Sequence, residues 1–162
     1  MNIRVGLGYD AHRLVKGRKL FLGGVEIPYH KGLLGHSDAD VIIHAIVDAL
    51  LGAAGLSDIG TYFSNKDARW KNVASVVFLE EVCRIFKKNK IKILNIDCTL
   101  ISEEPKIMPQ VEPMKKIIAE ALSVSKSAIG IKASTNEGMG FIGKKIGMAA
   151  HAVALVEIKK KF

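Results

Sequence analysis

Asp10-Ala11-His12 sets a carboxylate and an imidazole two residues apart in a segment that alternates like a strand, so both side chains leave the same face. That is half of a metal site. His44 is the natural third ligand, on a helical stripe of Asp40, His44 and Asp48 whose members are four residues apart. Three N/O protein ligands with an open fourth position form the pattern of a catalytic zinc site rather than a structural one. Each piece also has a structural reading. Asp-x-His is a short pattern, and a helix histidine is often only hydrogen-bonded. Ser37-Asp38-Ala39-Asp40 has capping-box form, with Ser37 capping and Asp40 reaching back. Asp48 resists that reading, because a carboxylate in a helix rich in Ala, Ile, Val and Leu needs a partner, and orienting a ligating histidine would supply one.

Two further stretches suit phosphate. Glu103-Glu104-Pro105-Lys106 precedes a helical pattern, and Lys106 in a first turn opposes the helix dipole unless an anion binds there, beside the free N–H groups. Ala133-Ser134-Thr135-Asn136-Glu137-Gly138-Met139-Gly140 is a strand end turning into a Gly-rich loop. It reads either as a plain turn or as a site in which Ser134 and Thr135 donate to phosphate oxygens and Glu137 holds a hard cation such as Mg2+.

The elements that must position these groups alternate along the chain. Residues 3–12 alternate Ile3, Val5, Leu7 and Tyr9 against Arg4, Gly6, Gly8 and Asp10, and residues 19–27 read as a hairpin turning on Gly23-Gly24. Helical spacing covers 37–54, then 73–88 with a basic last turn, then 106–122; strands are expected at 94–101, 129–134 and 152–158, the last apolar on both faces as a central strand would be. The expectation is an α+β fold, a single domain over 1–162, with a mixed sheet and helices mainly on one face.

A chain of 162 residues with 49% hydrophobic and 25% charged residues suits one core that buries roughly 70% of the unfolded surface. The longest apolar region, 41–56, is interrupted by His44 and Asp48, which argues against a membrane span. Met1-Asn2-Ile3-Arg4-Val5 enters a strand-like pattern directly, as in a cytoplasmic protein, and Cys83 and Cys98 lie in apolar surroundings as buried thiols. The net charge of +8 keeps a basic nucleic-acid-binding protein as an alternative, but much of it sits at helix ends and the tail, aromatics are 6%, and no stacking platform is visible. An Asp-His-His zinc could equally activate water, so a phosphohydrolase is also open.

At this point the sequence resembles the 2-C-methyl-D-erythritol 2,4-cyclodiphosphate synthases of the non-mevalonate isoprenoid pathway over nearly its whole length. The resemblance rests on ordered blocks at 8–12, 23–28, 35–40 through His44, 48–53, 58–60, Pro105-Lys106 and 134–137. It implies a lyase that closes a CDP-linked methylerythritol 2-phosphate into a cyclic diphosphate with release of CMP. The implied assembly is a homotrimer with active sites shared between neighbouring subunits. Asp10, His12 and His44 would hold Zn2+, and Glu137 a second ion, Mg2+ or Mn2+. His36, Ser37, Asp58, Ile59 and Gly60 would surround the methylerythritol phosphate. Lys106, Ser134 and Thr135 would contact the diphosphate, and Ser102, Ile107, Met108 and Ala133 would form the cytidine pocket largely through backbone groups. Asp40 and Asp48 would support the ligands from behind. The chain departs from the family at Ser64-Asn65, where Pro-Asp is usual, and at Lys144, Ile146 and His151, where Arg, Glu and Glu are common in the region facing the trimer channel.

Overall fold

A computed structural model describes residues 2–64 and 66–159; Asn65 lies outside the described residues. In chain order, β1 is Asn2–Lys16, β2 Leu20–Leu22, β3 Val25–Ile27, β4 Lys31–Leu33, α1 Val41–Ala54, α2 Ile59–Tyr62, α3 Val76–Lys88, β5 Ile91–Ile101, α4 Val111–Leu122, β6 Ile129–Ser134, α5 Gly140–Gly143 and β7 Gly147–Ile158. The main sheet has the order β4-β1-β7-β5-β6. β1 and β5 both run antiparallel to β7, whereas β5 and β6 are parallel and joined through α4, so the sheet is mixed. The β2–β3 hairpin stands apart and turns on Gly23 and Gly24, both at positive φ, as a two-residue turn of this kind requires.

The alternation in β1 has the opposite sense from an ordinary amphipathic strand. Its apolar residues Ile3, Val5, Leu7 and Tyr9 are exposed, Val5 and Leu7 by 67% and 68%, while Gly6 and Gly8 face the core. The reason is close approach. A Cβ at Gly8 would collide with the Ala45 carbonyl, and one at Gly6 with that of Ala49, so two glycines opposite alanines let α1 lie with its backbone almost on β1. The helices α1, α3 and α4 thus fill one side of the sheet, and the other carries an apolar stripe continued by Val153 of β7. β7 is central in the sheet, but it buries mainly one face, through Met148, Ala150, Ala152, Ala154, Val156 and Ile158, while Val153 on the other face is exposed.

Three helix starts differ from the sequence pattern, α3 beginning at Val76 rather than at residue 73. Asp40, not Ser37, is the N-cap of α1; its carboxylate accepts from the Ile43 N–H at 3.2 Å and, from the hairpin turn, from Gly23 and Gly24 at 2.9 and 2.7 Å. The helix expected from residue 106 begins at Val111 after a 3-10 turn at Met108–Gln110, where Pro109 and Pro113 suit an entry but not an interior. Among the described residues no helix is long and apolar enough to cross a membrane.

Candidate active site

Because α1 sits so close to β1, His44 in its first turn projects toward Asp10 and His12 in the middle of β1. Asp10 Oδ2 lies 2.8 Å from His12 Nε2 and 3.0 Å from His44 Nδ1, and the two ring nitrogens are 3.2 Å apart. All three donors are partly buried. The remaining ring nitrogens are engaged elsewhere: His12 Nδ1 donates to the Leu34 carbonyl at 2.9 Å, and His44 Nε2 faces the hydroxyls of Ser75 and Ser37 at 2.9 and 3.2 Å. This donor chemistry fits a divalent metal. Two imidazole lone pairs and a carboxylate converge at separations slightly under the ~3.4 Å edge of a tetrahedron with bonds of ~2.1 Å, and the Leu34 carbonyl holds the His12 ring from behind as metal-binding histidines are usually held.

Electrostatics agree. Burial pushes the Asp10 carboxyl up, but its close polar contacts with the His12 and His44 rings and the positive charge those rings can carry outweigh it and hold Asp10 well below the usual carboxylate range. For His12, burial works against the charged ring, yet the Asp10 hydrogen bond and charge, helped by Leu34 and Asp40, raise it above its ordinary value. Without a metal, Asp10 therefore favours a proton on His12, in the position where a cation would sit, more strongly than on a free histidine.

These three residues line a cavity of about 220 Å³ together with Gly35, His36, Ser37, Ile59, Gly60, Phe63, Trp70 and Phe78. Of the residues expected around a methylerythritol phosphate, His36, Ser37, Ile59 and Gly60 lie here, and His36 Nε2 is buried without a hydrogen-bond partner among the described residues. Asp58 lines an adjoining hollow with Asp48, Gly8 and Tyr9. A separate cavity of about 160 Å³ is lined by Leu100, Ser102, Glu103, Pro105, Lys106, Ile107, Met108, Ala133, Ser134 and Thr135, gathering all seven residues expected on the nucleotide side. Lys106 is exposed in the loop before α4, not in a helix first turn, so the helix-terminus reading of that lysine is corrected.

Glu137 is exposed beside this second cavity's Thr135, which donates to its carboxylate at 2.8 Å. It adopts a left-handed φ of 51°, and its loop is held by Glu103, whose carboxylate accepts from the Asn136 N–H at 2.8 Å. Glu103 and Glu104 thus do not serve a helix start, since Glu104 instead pairs with Lys145 at 2.5 Å. Two expectations about supporting residues change as well. Asp40 makes no hydrogen bond to the three donors among the described residues but ties the β2–β3 turn to α1; burial, then the neighbouring Asp38, push its carboxyl up to about 7 against three N–H donors. Asp48 makes no hydrogen bond to His44 among the described residues; it accepts from the Ile59 N–H at 2.8 Å. Lys144 is exposed at the end of α5, and Ile146 is exposed near it. His151 lies on the outer sheet face, 4.8 Å from the Tyr9 ring centroid.

The sequence reading missed Phe63, Trp70 and Phe78, which form an aromatic wall with ring centroids 4.5–5.8 Å apart, as well as Asp38 and Ser75 behind His44. Ser75 fell inside the helical pattern expected over 73–88, and no local signal marked any of these residues for the site.

Comparison with known proteins covers this whole arrangement. A 2-C-methyl-D-erythritol 2,4-cyclodiphosphate synthase from Clostridium beijerinckii is 52% identical over 96% of this chain and 98% of its own. Among solved structures, IspF of Plasmodium falciparum in complex with CDP is 36% identical with a TM-score of 0.85, covering 98% of both chains. The bifunctional IspDF of Campylobacter jejuni matches at 36% identity and a TM-score of 0.88; it covers 97% of this chain, which spans 42% of that longer one. The YgbB family model matches residues 3–157. A match running from the start of β1 to the end of β7 leaves none of the residues lining either cavity outside it: the chain belongs to the YgbB family, whose relatives are the cyclodiphosphate synthases.

Proposed function

We propose that this chain closes 4-diphosphocytidyl-2-C-methyl-D-erythritol 2-phosphate into 2-C-methyl-D-erythritol 2,4-cyclodiphosphate with release of CMP, as a phosphorus-oxygen lyase of isoprenoid precursor synthesis. The observation that carries the reading is the convergence of Asp10, His12 and His44 at the wall of a cavity of about 220 Å³. Bound Zn2+ at those residues and Mg2+ or Mn2+ at Glu137 would supply Lewis-acid neutralisation of phosphate oxygens. The rest is the work of side chains and backbone. His36 and Ser37 hold the 2-phosphate, with the unpartnered His36 Nε2 free to meet an anion. Asp58, Ile59 and Gly60 bind the methylerythritol. Lys106, Ser134 and Thr135 hold the diphosphate, and Ser102, Ile107, Met108 and Ala133 hold the cytidine.

Closing the ring makes one P–O bond, from a 2-phosphate oxygen to the β-phosphorus, and breaks another, the bridge whose oxygen leaves with CMP. The attacking group belongs to the substrate, so water must be kept out, and Phe63, Trp70 and Phe78 give the cavity a wall suited to that. This favours cyclisation over the phosphohydrolase alternative. The two cavities have no lining residue in common, and the exposed stripe of Ile3, Val5, Leu7 and Tyr9 suits burial against another copy. Both observations support the homotrimer that the family resemblance implies, in which one subunit's metal residues meet its neighbour's nucleotide loop. The buried, unpaired thiols of Cys83 and Cys98 suit a cytoplasmic enzyme. Incubation with the CDP-linked substrate, Zn2+ and Mg2+ should yield CMP and cyclic diphosphate in equal amounts, and inorganic phosphate as the main product would reject cyclisation.

A further inference from the structure

The polar groups behind His44 form a chain whose hydrogen order follows from its last member. His44 Nε2 lies 2.9 Å from Ser75 Oγ. Ser75 is fully buried, and its hydroxyl contacts the Asp38 carboxylate, which also accepts from the backbone N–H groups of Ser75 at 3.0 Å and Asp40 at 3.1 Å. Ser75 occupies the N-cap of α3, where a serine hydroxyl ordinarily accepts from the first turn of its own helix. It makes no such bond here. The hydroxyl is turned from its helix toward the histidine.

A carboxylate only accepts hydrogen bonds, so Ser75 gives its single hydrogen to Asp38. Its oxygen then serves as an acceptor, taking the Ser37 hydroxyl hydrogen at 3.3 Å and facing His44 at 2.9 Å, so that Ser37 Oγ, 3.2 Å from Nε2, is an acceptor there as well; this places the imidazole hydrogen on Nε2 and leaves the lone pair on Nδ1, the side where Asp10 and His12 converge. The order matters because Asp10 Oδ2, 3.0 Å from Nδ1, would by itself draw the hydrogen to the wrong nitrogen. We propose that Asp38 and Ser75 are positioning residues that hold the Nε2–H of His44, fix its ring plane and raise the basicity of Nδ1 toward a metal. The proposal rests on Asp10, His12 and His44 holding that metal, and it is the one role found for a serine and an aspartate that lie outside the donor set.

The test measures zinc affinity by chelator competition and records the imidazole N–H signals of 15N-histidine-labelled protein with and without zinc. The wild type should show a slowly exchanging His44 Nε2–H. Ser75→Ala and Asp38→Asn should each weaken zinc by roughly 10- to 100-fold and expose that hydrogen to exchange, and Ser75→Thr, which keeps the hydroxyl, should restore both. Wild-type affinity in both variants would overturn the proposal. So would a wild-type spectrum with the hydrogen on Nδ1 in the metal-free protein, a measurement that needs no variant to fold. A wild type that binds no zinc would instead overturn the metal site itself, with the metal-free spectrum still deciding the chain behind His44.

Discussion

The Asp48 carboxylate accepts a hydrogen bond from the backbone N–H of Ile59 at 2.8 Å, which ties the middle of α1 to the loop that opens with Asp58. The same helix that delivers His44 to the metal donors therefore also sets the edge of the substrate cavity. Asp58 caps α2 by accepting from the Thr61 N–H at 2.8 Å, so the same short segment is both capped and tied to Asp48. Asp48→Ala should raise KM for the CDP-linked substrate by roughly 10-fold, as loss of a hydrogen bond to a charged group implies, while zinc content stays at the wild-type level. Metal analysis beside steady-state kinetics checks this. Zinc loss with unchanged KM would show that Asp48 acts on His44 after all.

Much of the site was legible in the sequence because its parts are local. A two-residue spacing on β1 and a four-residue stripe on α1 fix which side chains share a face, and both elements are present, β1 longer than its pattern and α1 starting four residues later. The Gly23-Gly24 turn and β6 at Ile129–Ser134 were equally plain. What escaped depends on contacts across the chain. No local pattern tells that Asp48 meets Ile59 rather than His44, or that the Ser75 hydroxyl abandons its helix for a ring 31 residues away. The β1 alternation misleads for a related reason: it shows two faces, but which one the helix covers depends on glycines meeting alanines on α1.

That contact gives a second prediction. At Gly8 a methyl group meets the backbone carbonyl of Ala45, which cannot rotate away, so α1 must shift. Overpacking of this kind costs ~1–3 kcal/mol or more, a fall in Tm on the order of 5 °C for a chain of this size. His44 lies one residue from the collision, so Gly8→Ala should also weaken zinc binding. Thermal denaturation and chelator competition on one sample would show the two losses together. A destabilised variant with normal zinc affinity would mean that α1 yields elsewhere.

Proton competition at the metal position supplies a third. His12 titrates above its ordinary value in the metal-free protein because Asp10 holds its charged form. That interaction stabilises the metal-free fold fully below pH 6.5, the ordinary histidine value, and is lost as pH rises through the raised one. A metal needs the same nitrogen deprotonated, so zinc affinity should climb as pH rises through this window and binding should release a proton. Calorimetry in buffers of different ionisation enthalpy would count that proton, and a pH-independent affinity would exclude His12 as a ligand.

The exposed stripe on β1 gives a fourth. Leu7 is 68% exposed in the single chain, so Leu7→Asp should leave the isolated fold intact. In a trimer the new carboxylate would be buried against a neighbour, at a cost that favours dissociation. Sedimentation should find three wild-type chains together and mostly single chains of the variant, which should be inactive although it still binds zinc. An active monomer would contradict a site shared between subunits.

Glu137 gives the last, because its carboxylate sits in a loop fixed independently of any metal, by Glu103 at the Asn136 N–H and by Thr135 at Glu137 itself. Glu137→Gln keeps an oxygen to accept from Thr135, so the loop should hold its shape and only one negative charge is lost. Mg2+ binds through one or two carboxylates together with substrate phosphates. Activity of the variant should therefore fall and recover partly as Mg2+ or Mn2+ is raised, with zinc content unchanged. His44→Ala, which removes an imidazole from the other donor set, should lose zinc and gain nothing from either ion. Measuring CMP release across a divalent titration separates the two: a Glu137→Gln enzyme fully active at low Mg2+ would reduce Glu137 to a turn residue, and rescue of His44→Ala by Mg2+ would merge the two sites into one.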